Sequence, residues 1–413
     1  MNQLICDTAQ ATPSYSSCSL YIGLGGPILL NASLYHRTKN SQFKDRLDLL
    51  ITSYFDDIPT VISRQDSSLA SGFAGILWLV EYLKQHKLLQ MTSAKEELMN
   101  YISRQLEKSV SVDIENRDYD LLYGVIGKAL VFLDYPYLRL NNTKVVTTIV
   151  EGIEQIAERD SNGNFWYDYY YDKKFKGEKI QNYGLAHGIP SIICTLCFFY
   201  LAGDIYVDVQ VNTRKMVSLQ MIRGAVNWLL SKKQQNGLSS FSNANISEQT
   251  SRLGWCYGDL GVAYSLFVAA QVLKDNEIYY SALEIALHSC KRNITDSQIQ
   301  YIEGFYDIGI CHGLAGVCLF YRLFYEFTHE RTFSSKYFYY LRLLYSSLKT
   351  IKTLQEGTLQ NLDLKKIIDD TSLLYGKSGA CLVAFQDQSF LSPKWHNLML
   401  LNNFHTLSTV VAE

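Results

Sequence analysis

A G-x-x-G turn that opens an apolar helix recurs seven times along this 413-residue chain. The copies begin at Gly23, Gly72, Gly124, Gly188, Gly258, Gly313 and Gly376, at intervals of 49 to 70 residues. The fourth copy has Ser191 where its second glycine is expected. Self-similarity of this kind is the signature of a repeat architecture, and intervals of this size each hold one pair of helices. Between the glycine turns lie amphipathic segments such as QFKDRLDLLITSYF and AKEELMNYISRQLEKS, whose apolar residues recur at three- and four-residue spacing. The segments after the turns, such as GDLGVAYSLFVAA and GLAGVCLFYRLFYEF, are apolar nearly all round and predict burial on most faces. Apolar and amphipathic helices alternating in this way predict an all-α fold, an α/α toroid with an inner barrel of helices wrapped by an outer one. A linear solenoid is the alternative, and it would expose its end repeats. The glycines are expected to supply positive φ and close backbone approach where loop meets helix.

Bulk properties narrow the class. A formal net charge of -2 speaks against a dedicated nucleic-acid surface. Six prolines favour long helices over a β-sandwich. The nine cysteines are odd in number and scattered, and the start of the sequence has neither a basic region nor an apolar core of the signal-peptide kind. A reduced, cytoplasmic protein is the expectation, with cysteines serving packing, metal or catalysis. Residues 182–203 lack Asp, Glu, Lys and Arg, yet glycine, proline and histidine in the first half leave too short an apolar run for a membrane span. They read as a buried core helix. One domain over residues 1–413 is expected, with a flexible lead at residues 1–20. The aromatic-rich stretch 164–184 is expected as a hairpin near the rim.

The two residues before each first glycine share one rim of the predicted barrel. They are Tyr21-Ile22, Ala70-Ser71, Leu122-Tyr123, Ala186-His187, Cys256-Tyr257, Cys311-His312 and Leu374-Tyr375. Both cysteines occupy one register position and both histidines the next. Packed helices lie about 8–10 Å apart, so Cys256, Cys311 and His312 have the register to meet at one metal ion. Two thiolates and one imidazole leave an open position on a tetrahedral zinc, the pattern of a catalytic site. The competing reading is that each cysteine is a small buried hydrophobe, which is how Cys194, Cys197, Cys290, Cys318 and Cys381 are read. Asp120, four residues before its glycine, Arg252, six before its own, and His187 share the rim. Taken singly, Asp120 and Arg252 are better explained as solvated loop charges, and His187 is open to reading as a satisfied buried histidine.

The ordered set AHGIP, GWCYG and CHGLAG on a seven-fold G-x-x-G repeat resembles the lanthionine synthetase C-like proteins, and among them the class I lanthipeptide cyclases. The resemblance runs from residue 23 to about residue 385. It implies an α/α toroid with one zinc ion held by Cys256, Cys311 and His312. It further implies catalytic positions at His187, Asp120 and Arg252. Leu260 departs from the proline often found after the GWCYG turn, and Ser191 from glycine; both concern turn geometry.

Cyclases of this kind add a peptide cysteine thiol to dehydroalanine or dehydrobutyrine, giving a thioether ring. The resemblance implies His187 as the proton donor to the resulting enolate, Asp120 as its orienting carboxylate, and Arg252 as a charge offset or loop anchor. It implies a dehydrated precursor peptide as substrate, and a dehydratase and exporter as partners in a complex that would lie at the membrane without spanning it. Two alternatives stay open: an enzyme adding glutathione or another thiol to dehydrated residues, and a zinc-stabilised peptide-binding scaffold without chemistry.

Overall fold

The computed structural model describes residues 2–135, 138, 143–168, 178–205, 217–246, 250–302, 305–356, 362–386 and 394–401. In chain order its helices are α1 (Asn2–Gln10), α2 (Gly25–Thr38), α3 (Ser41–Arg64), α4 (Phe73–Gln85), α5 (Ser93–Glu115), α6 (Val125–Asp134) and α7 (Thr143–Gln155). Next come strands β1 (Glu158–Asp160) and β2 (Gly163–Phe165), then α8 (Ile189–Ile205), α9 (Leu219–Leu230), α10 (Asp259–Leu273) and α11 (Asn276–Ser289). Strands β3 (Gln300–Ile302) and β4 (Phe305–Tyr306) precede α12 (Leu314–Thr328), α13 (Arg331–Glu356), α14 (Leu362–Asp369) and α15 (Lys377–Gln386). A 3-10 turn at Lys394–Met399 follows. Each of the seven glycine turns opens one helix: α2, α4, α6, α8, α10, α12 and α15.

The sequence dictates which helices are buried throughout and which on one face. In α4 every residue from Phe73 to Leu83 is buried, and in α10 every residue from Asp259 to Ala270. In α3 burial is confined to Phe43, Leu47, Leu50, Ile51, Tyr54, Ile58 and Val61, a stripe at helical spacing. Side-chain caps start the amphipathic helices: Asn40 accepts from Gln42 N at 2.9 Å, and Asp275 from Glu277 N at 3.0 Å. Left-handed residues end others, with φ of 55° at Lys39 and 56° at His329. No helix of the described residues is long and apolar enough to cross a membrane.

The chain divides into two compact units. The first comprises Met1–Glu97 and Ser297–Trp395, the second Leu98–Asp296 and His396–Glu413. In the first, helical hairpins α2–α3 and α12–α13 pack closely. Residues 1–20, expected as a flexible lead, hold α1, which packs on α2, α3, α13 and α15. Its Ile5 and Ala9 are buried, and Asn31 Nδ2 donates to the Ala9 carbonyl at 3.0 Å. The last inner helix, α15, thus finds an outer partner at the other end of the sequence.

In the second unit, α8 packs on α6, α9 and α10, and α10 on α11. Its β1–β2 hairpin is antiparallel, pairing Glu158 with Phe165. The turn is built by Asp160, whose Oδ1 accepts from Asn162 N at 2.8 Å, and by Gly163 at φ 140°. This hairpin begins ahead of the stretch 164–184 where one was expected; residues 169–177 of that stretch lie outside the described residues. Trp255, fully buried, donates from Nε1 to the Met399 carbonyl at 2.8 Å.

Neighbouring glycine loops are joined by backbone hydrogen bonds in the repeat register. In the first unit Leu20 N and Tyr21 N donate to Ala70 O, Leu374 N to Tyr21 O, and Ile310 N and Cys311 N to Leu374 O, at 2.8 to 3.2 Å. In the second, Leu121 N donates to Ala186 O, and Ala186 N to Cys256 O, both at 3.3 Å. Within each unit these bonded rim loops are therefore held in register by main-chain bonds, independent of what their side chains do.

Candidate active site

Five of the seven rim loops are shaped by an Asp or Asn six positions before the first glycine. Asp66, Asp118, Asn182, Asp307 and Asp370 stand there. A side-chain oxygen of each accepts the backbone N–H two residues on, at 2.7 to 3.2 Å, forming an Asx turn. The carbonyl of each then accepts the N–H just after the glycine, at 2.8 to 3.0 Å, which satisfies an otherwise unpaired donor of the inner helix. The glycine is needed because these atoms leave no room: a Cβ at Gly313 would lie 2.3 Å from Asp307 Oδ1. Close approach, with φ of -115° at Gly313, is the reason there, not the positive φ expected from sequence. Repeat five differs. Arg252 fills the Asx position, and Gly258 does take a positive φ of 99°.

Within the second unit the structure brings Asp120 and His187 together. His187 Nδ1 donates to Asp120 Oδ2 at 2.5 Å. The other carboxylate oxygen accepts from Leu122 N at 2.6 Å and Tyr123 N at 3.0 Å. Asp120 is only 3 % exposed, so these bonds compensate its buried charge. Burial pulls the His187 pKa down, but Asp120 by charge and hydrogen bond, with Cys256 and Asp168 behind it, outweighs burial and raises it to about 9. The imidazole is thus charged at neutral pH with Nε2–H as its second donor. The Tyr257 ring lies 5.9 Å from the His187 ring, tilted by 38°. Cys256, 5 % exposed, is in the next loop, its carbonyl bonded to Ala186 N.

Arg252 is half-buried, and Asp120 takes its partners from Leu122, Tyr123 and His187 instead. What the structure shows of Arg252 is its carbonyl, which would lie 2.2 Å from a Cβ at Gly258. The segment around it is held by a buried ion pair. Arg292 Nη2 donates to Asp259 Oδ2 at 2.9 Å, and Arg292 Nη1 to the Ser251 carbonyl at 2.6 Å.

Within the first unit, Cys311 and His312 sit on the loop before α12. Cys311 is 6 % exposed. His312 Nδ1 donates to Asp307 Oδ2, which leaves the Nε2 lone pair as the ring's metal-binding position. The Tyr375 ring packs 5.6 Å from the His312 ring and is 40 % exposed. Asp307 was missed by the reading of the sequence, although an Asp or Asn six residues before the glycine recurs in five repeats.

Among the described residues, no group of three or more His, Cys, Asp or Glu side chains forms a metal centre. Cys256 belongs to the second unit, while Cys311 and His312 belong to the first. The donor chemistry itself fits zinc: two thiols and an imidazole whose other nitrogen is bonded to a carboxylate, as is usual for a histidine ligand.

The sequence profile described as lanthionine synthetase C-like protein matches residues 14–400. The chain is 23% identical over 354 residues to the nisin biosynthesis protein NisC of Lactococcus lactis subsp. lactis, covering 78% of this chain and 77% of that protein. It is also similar to a solved structure of nisin cyclase, with a TM-score of 0.69 and 18% identity over 98% of this chain and 97% of the other. That likeness shows the fold, an α/α toroid.

Proposed function

Because the chain belongs to the lanthionine synthetase C-like family, we propose that it is a zinc-dependent lanthipeptide cyclase, closing thioether rings in a dehydrated precursor peptide. Similarity to the nisin proteins supports the cyclase class. The observation that carries the mechanism is the hydrogen bond of part-exposed His187 to buried Asp120, which raises the imidazole pKa, in the loop next to that of Cys256.

Cys256, Cys311 and His312 would hold the zinc ion. When bound, zinc would supply the Lewis acidity that lets a substrate cysteine lose its proton near neutral pH, where a free thiol of pKa about 8.5 is mostly protonated. In the ring-closing step the sulfur electron pair forms the S–Cβ bond, and the Cα=Cβ π pair moves toward the adjacent carbonyl as an enolate. His187 then delivers a proton to Cα from Nε2. The thiol proton lost and the Cα proton gained balance, so the peptide mass is unchanged. Asp120 keeps His187 charged and aimed, and Arg252 anchors the loop that carries Cys256 or offsets enolate charge. The dehydratase, the exporter and a cytoplasmic site of action at the membrane belong to the same proposal.

The test is incubation with a dehydrated, cysteine-containing peptide, following free thiol and mass together. Loss of thiol at constant mass is the expected result. A gain equal to glutathione, when glutathione is supplied, would favour intermolecular thiol addition. Unchanged thiol and mass with every dehydrated peptide of the precursor class would leave the peptide-binding scaffold.

A further inference from the structure

We propose that Asp307 is a positioning residue for His312, fixing its imidazole in the Nδ1–H tautomer so that Nε2 is presented as a donor to zinc. The inference rests on the zinc reading above. It comes from comparing loops of the same chain. Asp307 is 5 % exposed and divides its two oxygens. Oδ1 accepts from Gly309 N at 2.7 Å and builds the turn, while Oδ2 accepts from His312 Nδ1. Its backbone is pinned as well, with Leu314 N donating to its carbonyl at 2.8 Å and its own N–H donating to Ile299 O at 2.9 Å.

The turn requires only the first oxygen. In repeat four Asn182 holds the equivalent position, and its Oδ1 accepts from Gly184 N at 2.8 Å. The second oxygen is therefore free to act on the residue just before the glycine. In repeat two it does so: Asp66 Oδ1 accepts from Ser68 N, and Oδ2 from the Ser71 hydroxyl at 2.7 Å. In repeat six the same reach ends on His312. A carboxylate can only accept, so it selects the tautomer protonated at Nδ1. An amide nitrogen at that place would donate instead, favouring the opposite tautomer and occupying Nε2 with a proton.

The experiment is zinc competition against a chromophoric chelator for wild type, Asp307→Asn and, as control, Asp66→Asn. Asp307→Asn keeps the turn oxygen and is expected to melt close to wild type while binding zinc about 10–100-fold more weakly. Asp66→Asn is expected to match wild type in zinc affinity. Tight zinc in wild type with Asp307→Asn within twofold of it overturns this inference alone. A wild type that takes up no zinc overturns the zinc reading, and this inference with it. Should Asp307→Asn fail to fold, the side-chain ¹⁵N signals of neutral His312 in zinc-free wild type decide: a protonated Nδ1 supports the inference, a protonated Nε2 overturns it.

Discussion

Replacing Asp120 by Asn isolates the charge that holds His187 protonated. The amide oxygen can still accept from Leu122 N and Tyr123 N, so the loop is preserved. What is lost is the carboxylate, which first among the raising influences sets the His187 pKa at about 9 against the opposing effect of burial. Without it the pKa falls to the unperturbed value of about 6.5 or lower. At pH 7 a group of pKa 9 is about 99% charged, whereas one of pKa 6.5 is about a quarter charged. The supply of protonated acid therefore falls at least about fourfold, and the alkaline limb of kcat/KM moves from about 9 to below about 7. Lost orientation of the ring adds to the rate defect. The assay is thiol loss from a dehydrated peptide between pH 5.5 and 10. An unmoved alkaline limb together with a pH 7 rate within twofold of wild type would refute His187 as the acid. Stability follows the same pair. Because the folded pKa lies above the unfolded one, the stabilisation is fully present below about pH 6.5 and disappears as pH rises through about 9. The urea midpoints of wild type and Asp120→Asn should converge over that window.

Three further outcomes are expected. Purified wild type should carry about one equivalent of zinc, and Cys311→Ala should retain none and lose cyclisation; elemental analysis beside the thiol assay checks both. Arg292→Met leaves Asp259, wholly buried, without its cation, and should cost about 3–5 kcal/mol in urea unfolding. A cost under about 1 kcal/mol would show that Ser240 N and Phe241 N, which also bond Asp259, suffice for it. Gly258→Ala combines a φ of 99° with a Cβ 2.2 Å from the Arg252 carbonyl, and should destabilise by about 1–3 kcal/mol or more by the same measurement.

The helical hairpins were legible because two periodicities coincide in the sequence: the glycine turns at intervals of 49 to 70 residues and the three-to-four spacing within α3 and its like. What stayed hidden depends on partners remote in sequence. Helix α1 offers only a short apolar stripe, Ile5 and Ala9, and the helices it covers include α13 and α15, more than 300 residues away. The Asp160 to Gly163 turn carried a local hairpin signal, yet the aromatic run that follows drew the expectation downstream. The main-chain bonds between rim loops leave no trace in side-chain identity, since Ala70, Leu374, Ala186 and Cys256 all serve as carbonyl acceptors.

Candidate chemistry was legible wherever an unusual side chain fell in register, as with His187 and His312, and illegible where an ordinary one did. Asp307 reads as a turn former, and so do Asp66, Asp118 and Asp370; only the geometry reveals that such an aspartate has an oxygen to spare. The same geometry accounts for the difference between the two rim histidines. Asn182 offers the turn an oxygen and has no second carboxylate oxygen for His187, so that ring takes its partner from Asp120 in the preceding loop. His312 takes its partner from within its own loop, leaving ring and turn fixed by one residue. Ala186 precedes the first histidine and Cys311 the second. In the proposed roles, an acid gains from a carboxylate that keeps it charged, whereas a metal ligand gains from an adjacent thiolate that recruits the same ion. One turn, with Asn182 in place of aspartate and Ala186 in place of cysteine, thus distinguishes the proposed acid from the proposed ligand at equivalent positions of the chain.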